Sequence, residues 1–127
     1  MGSRTVKFLL DSVIVIDHFN GIEAATGYLA EHGSACALSV ITRAEVLAGF
    51  DDAHATLALE LLDVFPALPI TTEIADLAAR LRRSERWKLP DALQAAVAMH
   101  HALTLVTRNT RDFRSGGALQ VVVPYAL

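Results

Sequence analysis

Val6-Lys7-Phe8-Leu9-Leu10-Asp11-Ser12-Val13-Ile14-Val15-Ile16-Asp17 sets a buried strand, a carboxylate and an apolar helix in immediate succession. Residues 6–10 form a short apolar run of the kind that fills a buried strand, and the run stops at Asp11. The apolar residues after Asp11 continue as helix. An ordinary surface aspartate is not expected at such a junction. In a helix-covered sheet, the carboxyl ends of the strands are where ligand sites form.

Working outward, the same alternation repeats. Helical patterns follow Asp11, the second over about residues 22–31 and stopping near Gly33. Residues 36–40 are a second short strand. Residues 42–48 read as helix, with Thr42 and Glu45 spaced as a capping box and Gly49 as its end. Residues 51–64 give another helix with an apolar stripe at Leu57, Leu61, Leu62 and Phe65. Pro66 and Pro69 bracket a brief strand over 68–70, and Thr71 or Thr72 caps a long helix through about Arg86. Pro90 suits the first turn of a helix running to about Ala102. Residues 103–107 are a strand, 109–117 a loop or single turn, and 120–123 a last strand. Strands separated by helices imply parallel pairing within an α/β sheet, but leave strand order open.

The 127 residues suit one domain spanning 1–127, and the 53% apolar content is that of a globular chain with a real core. No apolar stretch is long enough to cross a bilayer, and no secretory signal is visible. A single cysteine, Cys36, lies in an apolar run and reads as a small buried hydrophobe, which suits a reducing cytoplasm. The net charge of −3 argues against a nucleic-acid binder acting by positive charge alone. It leaves room for a nuclease whose carboxylates hold cations, since a bound metal reverses the local sign.

Four acids fall near the same sheet edge on this reading. Asp11 ends the first strand, Glu45 follows the second, Asp91 sits in a helix's first turn behind Pro90, and Asp112 comes soon after the strand at 103–107. They are too far apart in sequence for local salt bridges, so only the fold could gather them. Three of them have a plain structural account taken singly: a dipole partner for Asp91, a capping-box member for Glu45, a loop carboxylate for Asp112; Asp11 is the strongest single case. Clustered, they would repel one another and raise each other's pKa. A divalent cation removes that cost, and hard oxygen ligands favour Mg²⁺ or Mn²⁺. Such an ion serves phosphodiester hydrolysis.

Four blocks in order carry a resemblance. They are Leu9-Leu10-Asp11-Ser12-Val13-Ile14-Val15-Ile16-Asp17, Ser39-Val40-Ile41-Thr42-Arg43-Ala44-Glu45-Val46-Leu47-Ala48-Gly49, Leu89-Pro90-Asp91-Ala92-Leu93-Gln94-Ala95-Ala96, and Leu105-Val106-Thr107-Arg108-Asn109-Thr110-Arg111-Asp112-Phe113. With them the chain resembles, nearly end to end, the PIN-domain nucleases and specifically the VapC-type toxins of type II toxin–antitoxin modules. The resemblance implies a three-layer α/β/α sandwich with a central parallel sheet and a Mg²⁺- or Mn²⁺-dependent endoribonuclease. Its substrate would be tRNA, rRNA or another structured RNA, with a VapB-type antitoxin as partner, a homodimer as the assembly and no membrane. Asp11, Glu45 and Asp91 match the core acidic positions of the family and Asp112 a fourth, for which Asn109 is the secondary candidate. In the mechanism this implies, Asp11 and Asp91 are the principal metal ligands, Glu45 binds metal through water or orients the attacking water, and Asp112 completes a second metal position. Ser12 stands where the family usually has Thr, and Val13 where it usually has Asn.

Other features admit two readings. Arg80, Arg82, Arg83, Arg86 and Lys88 form a basic cluster that either tracks phosphates, with Arg83 and Arg86 as the substrate contacts, or is a solvated helix face. Ser12, Arg108 and Asn109 are further candidate phosphate contacts, and Arg111 flanks the fourth acid. Trp87 could stack on a base or pack locally. His100 and His101 point about 100° apart on a helix, which suits a helix-end dipole role better than one shared ion. Asp17 reads as a capping or surface residue. A catalytically weak or inactive PIN module acting by partner binding is the alternative function. A phosphotransfer domain with a strand-end Asp is a poor fit, since that chemistry wants a second Asp where Val13 stands.

Overall fold

The computed structural model describes residues 5–111, 113 and 119–127. Its elements run β1 (Phe8–Leu10), α1 (Ser12–Phe19), α2 (Glu23–His32), a 3-10 turn (Gly33–Ala35), β2 (Cys36–Ser39), α3 (Val40–Ala48), α4 (Ala55–Leu62), β3 (Ala67–Leu68), α5 (Thr72–Glu85), α6 (Leu89–His100), β4 (Thr104–Val106) and β5 (Gln120–Val122). The sheet order is β3-β2-β1-β4-β5, parallel throughout. β1 is central, with Leu9 in register with Ala37 of β2 on one side and Leu105 of β4 on the other.

The three inner strands β1, β2 and β4 are buried on both faces, since successive side chains point to opposite sides and helices cover each. Leu9 and Leu105 join one apolar cluster with Ile74 and Ala78 of α5 and the alanines of α6. Leu10 and Val106 join a second cluster with Ile14 and Val15 of α1, Val46 of α3 and Leu62 of α4. The chain is therefore a three-layer α/β/α sandwich. In α6, Ala92, Ala95, Ala96 and Ala98 are all fully buried, so small side chains let this helix lie close against the sheet. Among the described residues no helix is long and apolar enough to cross a membrane.

Several boundaries differ from those expected of the sequence. α3 starts at Val40, two residues before Thr42, because the Ser39 hydroxyl caps it by accepting from the Thr42 backbone N–H at 3.2 Å. The capping box of Thr42 and Glu45 does not form. α4 starts at Ala55, since Asp51 instead accepts from the His54 backbone N–H at 2.9 Å and closes a turn. Leu62 and Phe65 of its stripe are buried, but Leu57 is 58% exposed. β3 is the pair Ala67–Leu68. Thr71 caps α5 as expected, accepting from the Ile74 N–H at 3.2 Å. α5 ends at Glu85, and Arg86 caps it in a left-handed conformation at φ 59°. Cys36 is buried.

Candidate active site

In the order β3-β2-β1-β4-β5 the chain leaves β1 toward β2 and β3, then returns past it to β4 and β5. The switch point falls at the carboxyl ends of β1 and β4, where a crevice opens in sheets of this kind. Asp11 lies at that point. It caps α1, with Oδ1 accepting from the Ser12 N–H at 2.8 Å, and its own N–H donates to the Val106 carbonyl at 2.9 Å. The Thr107 hydroxyl, at the end of β4, donates to Asp11 Oδ2 at 2.6 Å. The Gln94 amide of α6 reaches Oδ1 at 3.4 Å. One carboxylate is thus gripped from its own helix, from β4 and from α6.

Glu45 is on the exposed side of α3 and Asp91 is half-buried in the first turn of α6, behind Pro90. The Glu45 carboxyl is pushed above its ordinary range, first by desolvation and then by the negative charges of Asp11 and Asp91, while a hydrogen bond from Ser12 pulls it back. Three acids from three separate elements therefore lie within electrostatic reach of one another. Since α3 is capped by Ser39, Glu45 has no part in capping, and the structural account offered for it on spacing falls away. Among the described residues no three His, Cys, Asp or Glu side chains lie close enough together to hold a metal ion by themselves. The donor set still fits a hard cation, because Mg²⁺ retains several waters and takes only one or two carboxylates.

Asp112, expected as the fourth acid, lies outside the described residues. Asn109 is half-buried nearby, its backbone N–H donating to the Thr107 hydroxyl at 2.9 Å. Ser12 faces Glu45. The Arg108 guanidinium grips Asp17 through Nε at 2.6 Å and Nη2 at 2.9 Å, so this fork is engaged within the protein. Asp17 is buried, contrary to its reading as a capping or surface residue, and also accepts from the Tyr125 hydroxyl at 2.8 Å. Val13 lines a shallow cleft with Arg108, Asn109, Thr110 and Arg111. Arg83 and Arg86 are exposed. Trp87 is half-buried and packs edge-on to Phe113 at 5.7 Å between ring centroids. His100 sits 4.0 Å from Glu73 and stacks edge-on with His101.

The acids rest on a buried polar layer that sequence reasoning missed. Ser39, Thr42, Gln94 and Thr107 are all essentially inaccessible to water. The Ser39 hydroxyl donates to Gln94 Oε1 at 2.5 Å, Gln94 Nε2 donates to Thr42 Oγ1 at 2.6 Å, and the Thr42 hydroxyl donates to the Leu10 carbonyl at 3.2 Å. A signal was present. Gln94 interrupts an alanine-rich apolar run at i+3 from Asp91, on the same helix face. Ser39 and Thr107 are the polar residues at the ends of β2 and β4, in the position Asp11 holds after β1.

The chain as a whole is similar to known proteins. Over 112 residues the chain is 37% identical to Ribonuclease VapC10 of Mycobacterium tuberculosis, covering 83% of this chain and 84% of that protein. Ribonuclease VapC19 of the same organism is 32% identical over 113 residues, covering 83% and 90%. A toxin–antitoxin complex from Klebsiella pneumoniae contains a chain that superposes with a TM-score of 0.86 at 36% identity, covering 95% of this chain and all of that one. Residues 8–118 match the PIN domain, which takes in every strand but β5 and all six α-helices, and so the chain belongs to the PIN-domain family.

Proposed function

We propose that the chain is a single PIN-like domain that hydrolyses RNA phosphodiester bonds as the ribonuclease toxin of a VapBC-type module, in the cytoplasm. The observation that carries the reading is the convergence of Asp11, Glu45 and Asp91 from three elements at the switch point of the sheet, with the Glu45 carboxyl raised first by desolvation and further by its two neighbours. That electrostatic cost has no structural return, since Glu45 caps nothing. The likeness to VapC10, VapC19 and the Klebsiella complex supports both the RNA substrate and a VapB-type antitoxin partner. A homodimer completes the proposed assembly.

Asp11 and Asp91, with Asp112, would hold Mg²⁺ or Mn²⁺, and the ion when bound supplies a water of lowered pKa and positive charge toward the phosphoryl oxygens. Asp11 has its orientation set by Ser12 N–H and Thr107 before any ligand arrives. Glu45, with its raised affinity for a proton, orients the attacking water. Arg83, Arg86 and Arg111 are exposed to meet the RNA backbone. Arg108 is committed to Asp17 and steadies the segment that carries Thr107 and Asn109.

The test is cleavage of total RNA with Mg²⁺ or Mn²⁺, with ends mapped, for the wild type, Asp11→Ala and Asp91→Ala. Discrete cleavage by the wild type, lost in both variants and in EDTA, is the expected result. Activity that survives both substitutions overturns the proposed site. A folded wild type that cuts nothing yet binds its antitoxin would favour a module acting by partner binding alone.

A further inference from the structure

We infer that Gln94 is a positioning residue of the carboxylate site, setting the three acid-bearing elements at a fixed spacing and aiming Asp11. The inference rests on the ribonuclease reading above. Each of the three acids comes from a different element, and Gln94 touches all three elements. It lies one turn beyond Asp91 on α6. Its Nε2 reaches Asp11 at the end of β1 and bonds Thr42 of α3, which is one turn before Glu45.

The Thr42 backbone N–H donates to Ser39 Oγ, which leaves the Ser39 hydroxyl proton for Gln94 Oε1. The Asp11 carboxylate only accepts, so the amide lies with Nε2 toward Asp11 and Thr42 and Oε1 toward the Ser39 hydroxyl. The Thr42 hydroxyl, having accepted from Gln94, donates to the Leu10 carbonyl, one residue before Asp11. A flipped amide would set Oε1 against the Asp11 carboxylate and Nε2 against a hydroxyl proton. The layer is 0% exposed at Ser39 and Thr42 and 2% at Gln94, so water does not stand in for a lost partner. Gln94 Nε2 meets Asp11 at 3.4 Å, longer than the Thr107 contact at 2.6 Å. Its action on Asp11 is accordingly orientation, added to the stronger grip of Thr107.

Mn²⁺ affinity of the full chain, measured by calorimetry well below each variant's melting temperature, tests this. Gln94→Met preserves volume and removes the amide. Ser39→Ala leaves the core volume nearly unchanged and removes the hydroxyl that holds Gln94 Oε1. Asp11→Ala is the control. Groups that orient a metal's ligands are typically worth about ten- to a hundredfold in affinity, and the long contact points to the lower end. Gln94→Met should weaken Mn²⁺ binding about tenfold and Ser39→Ala severalfold in the same direction. In cleavage of an RNA oligonucleotide, kcat should fall while KM holds, a split that a merely loosened fold would not give. If Gln94→Met is folded and binds Mn²⁺ within about twofold of wild type while Asp11→Ala loses the ion, the inference is overturned and the metal site stands. If Gln94→Met does not fold, Ser39→Ala decides in the same way. Wild-type binding by Asp11→Ala would overturn the metal site and this inference together.

Discussion

Asp17→Asn should lower the melting temperature strongly at neutral pH and hardly at all in acid. The Asp17 carboxylate is 5% exposed and accepts from Arg108 Nε at 2.6 Å, Arg108 Nη2 at 2.9 Å and the Tyr125 hydroxyl at 2.8 Å. Removing one partner of a buried ion pair costs about 3–5 kcal/mol when the other charge is left stranded. Here the Arg108 side chain keeps 28% exposure and can turn to water, which brings the cost down to about 2–3 kcal/mol. A domain of this size loses roughly 3–5 °C per kcal/mol, so the melt should fall by on the order of 10 °C. The pH dependence has a definite sign. The Arg108 hydrogen bond, helped by Tyr125 and the Arg108 charge, holds the Asp17 carboxyl below its ordinary range in spite of burial. A depressed carboxylate contributes stability above its unfolded pKa of about 3.9 and loses it as pH falls through the folded value. Circular-dichroism melts of wild type and variant should therefore differ fully near neutral pH and converge below about pH 4. An Asp17→Asn/Arg108→Met double variant should lie well short of the sum of the singles. A neutral-pH melt within about 2 °C of wild type would refute the reasoning, as would a gap that persists in acid.

Glu45→Gln should stabilise the metal-free protein while abolishing cleavage. Its folded pKa is raised, so its stability contribution is complete below the unfolded value and is lost as pH rises through the folded one; because the residue is exposed, the gain at neutral pH should stay under about 1 kcal/mol, read as a small rise in melting temperature in EDTA. Arg86→Gly should also stabilise the fold, by about 1 kcal/mol, since φ 59° is strained for arginine and free for glycine; a lower melting temperature would contradict this, and RNA affinity should drop in parallel. Thr107→Val, near-isosteric, removes the 2.6 Å bond to Asp11 and the acceptor of the Asn109 N–H, costing about 1–3 kcal/mol of stability in denaturant melts and most of the cleavage rate.

The order of elements, the parallel pairing and the burial of both sheet faces were all legible in the chain, because hydrophobic period, turn residues and caps such as Thr71 act within a few positions. So was the place of Asp11, since a carboxylate that ends an apolar strand marks the edge where sites form. Tertiary structure alone decided the strand order and with it the neighbours of that aspartate. It moved the start of α3 to Val40, because Ser39 at the end of β2 caps the helix and Thr42 turns inward to the Leu10 carbonyl. It set Arg108 on Asp17 rather than toward solvent, and drew Gln94 into the layer beneath the acids. These bonds join residues tens of positions apart, and a hydroxyl, amide or guanidinium has no local preference strong enough to announce its partner. Sequence alone therefore determined the order of the elements and the strand end at which Asp11 stands; only the packing of those elements could decide which polar side chains hold that carboxylate in place.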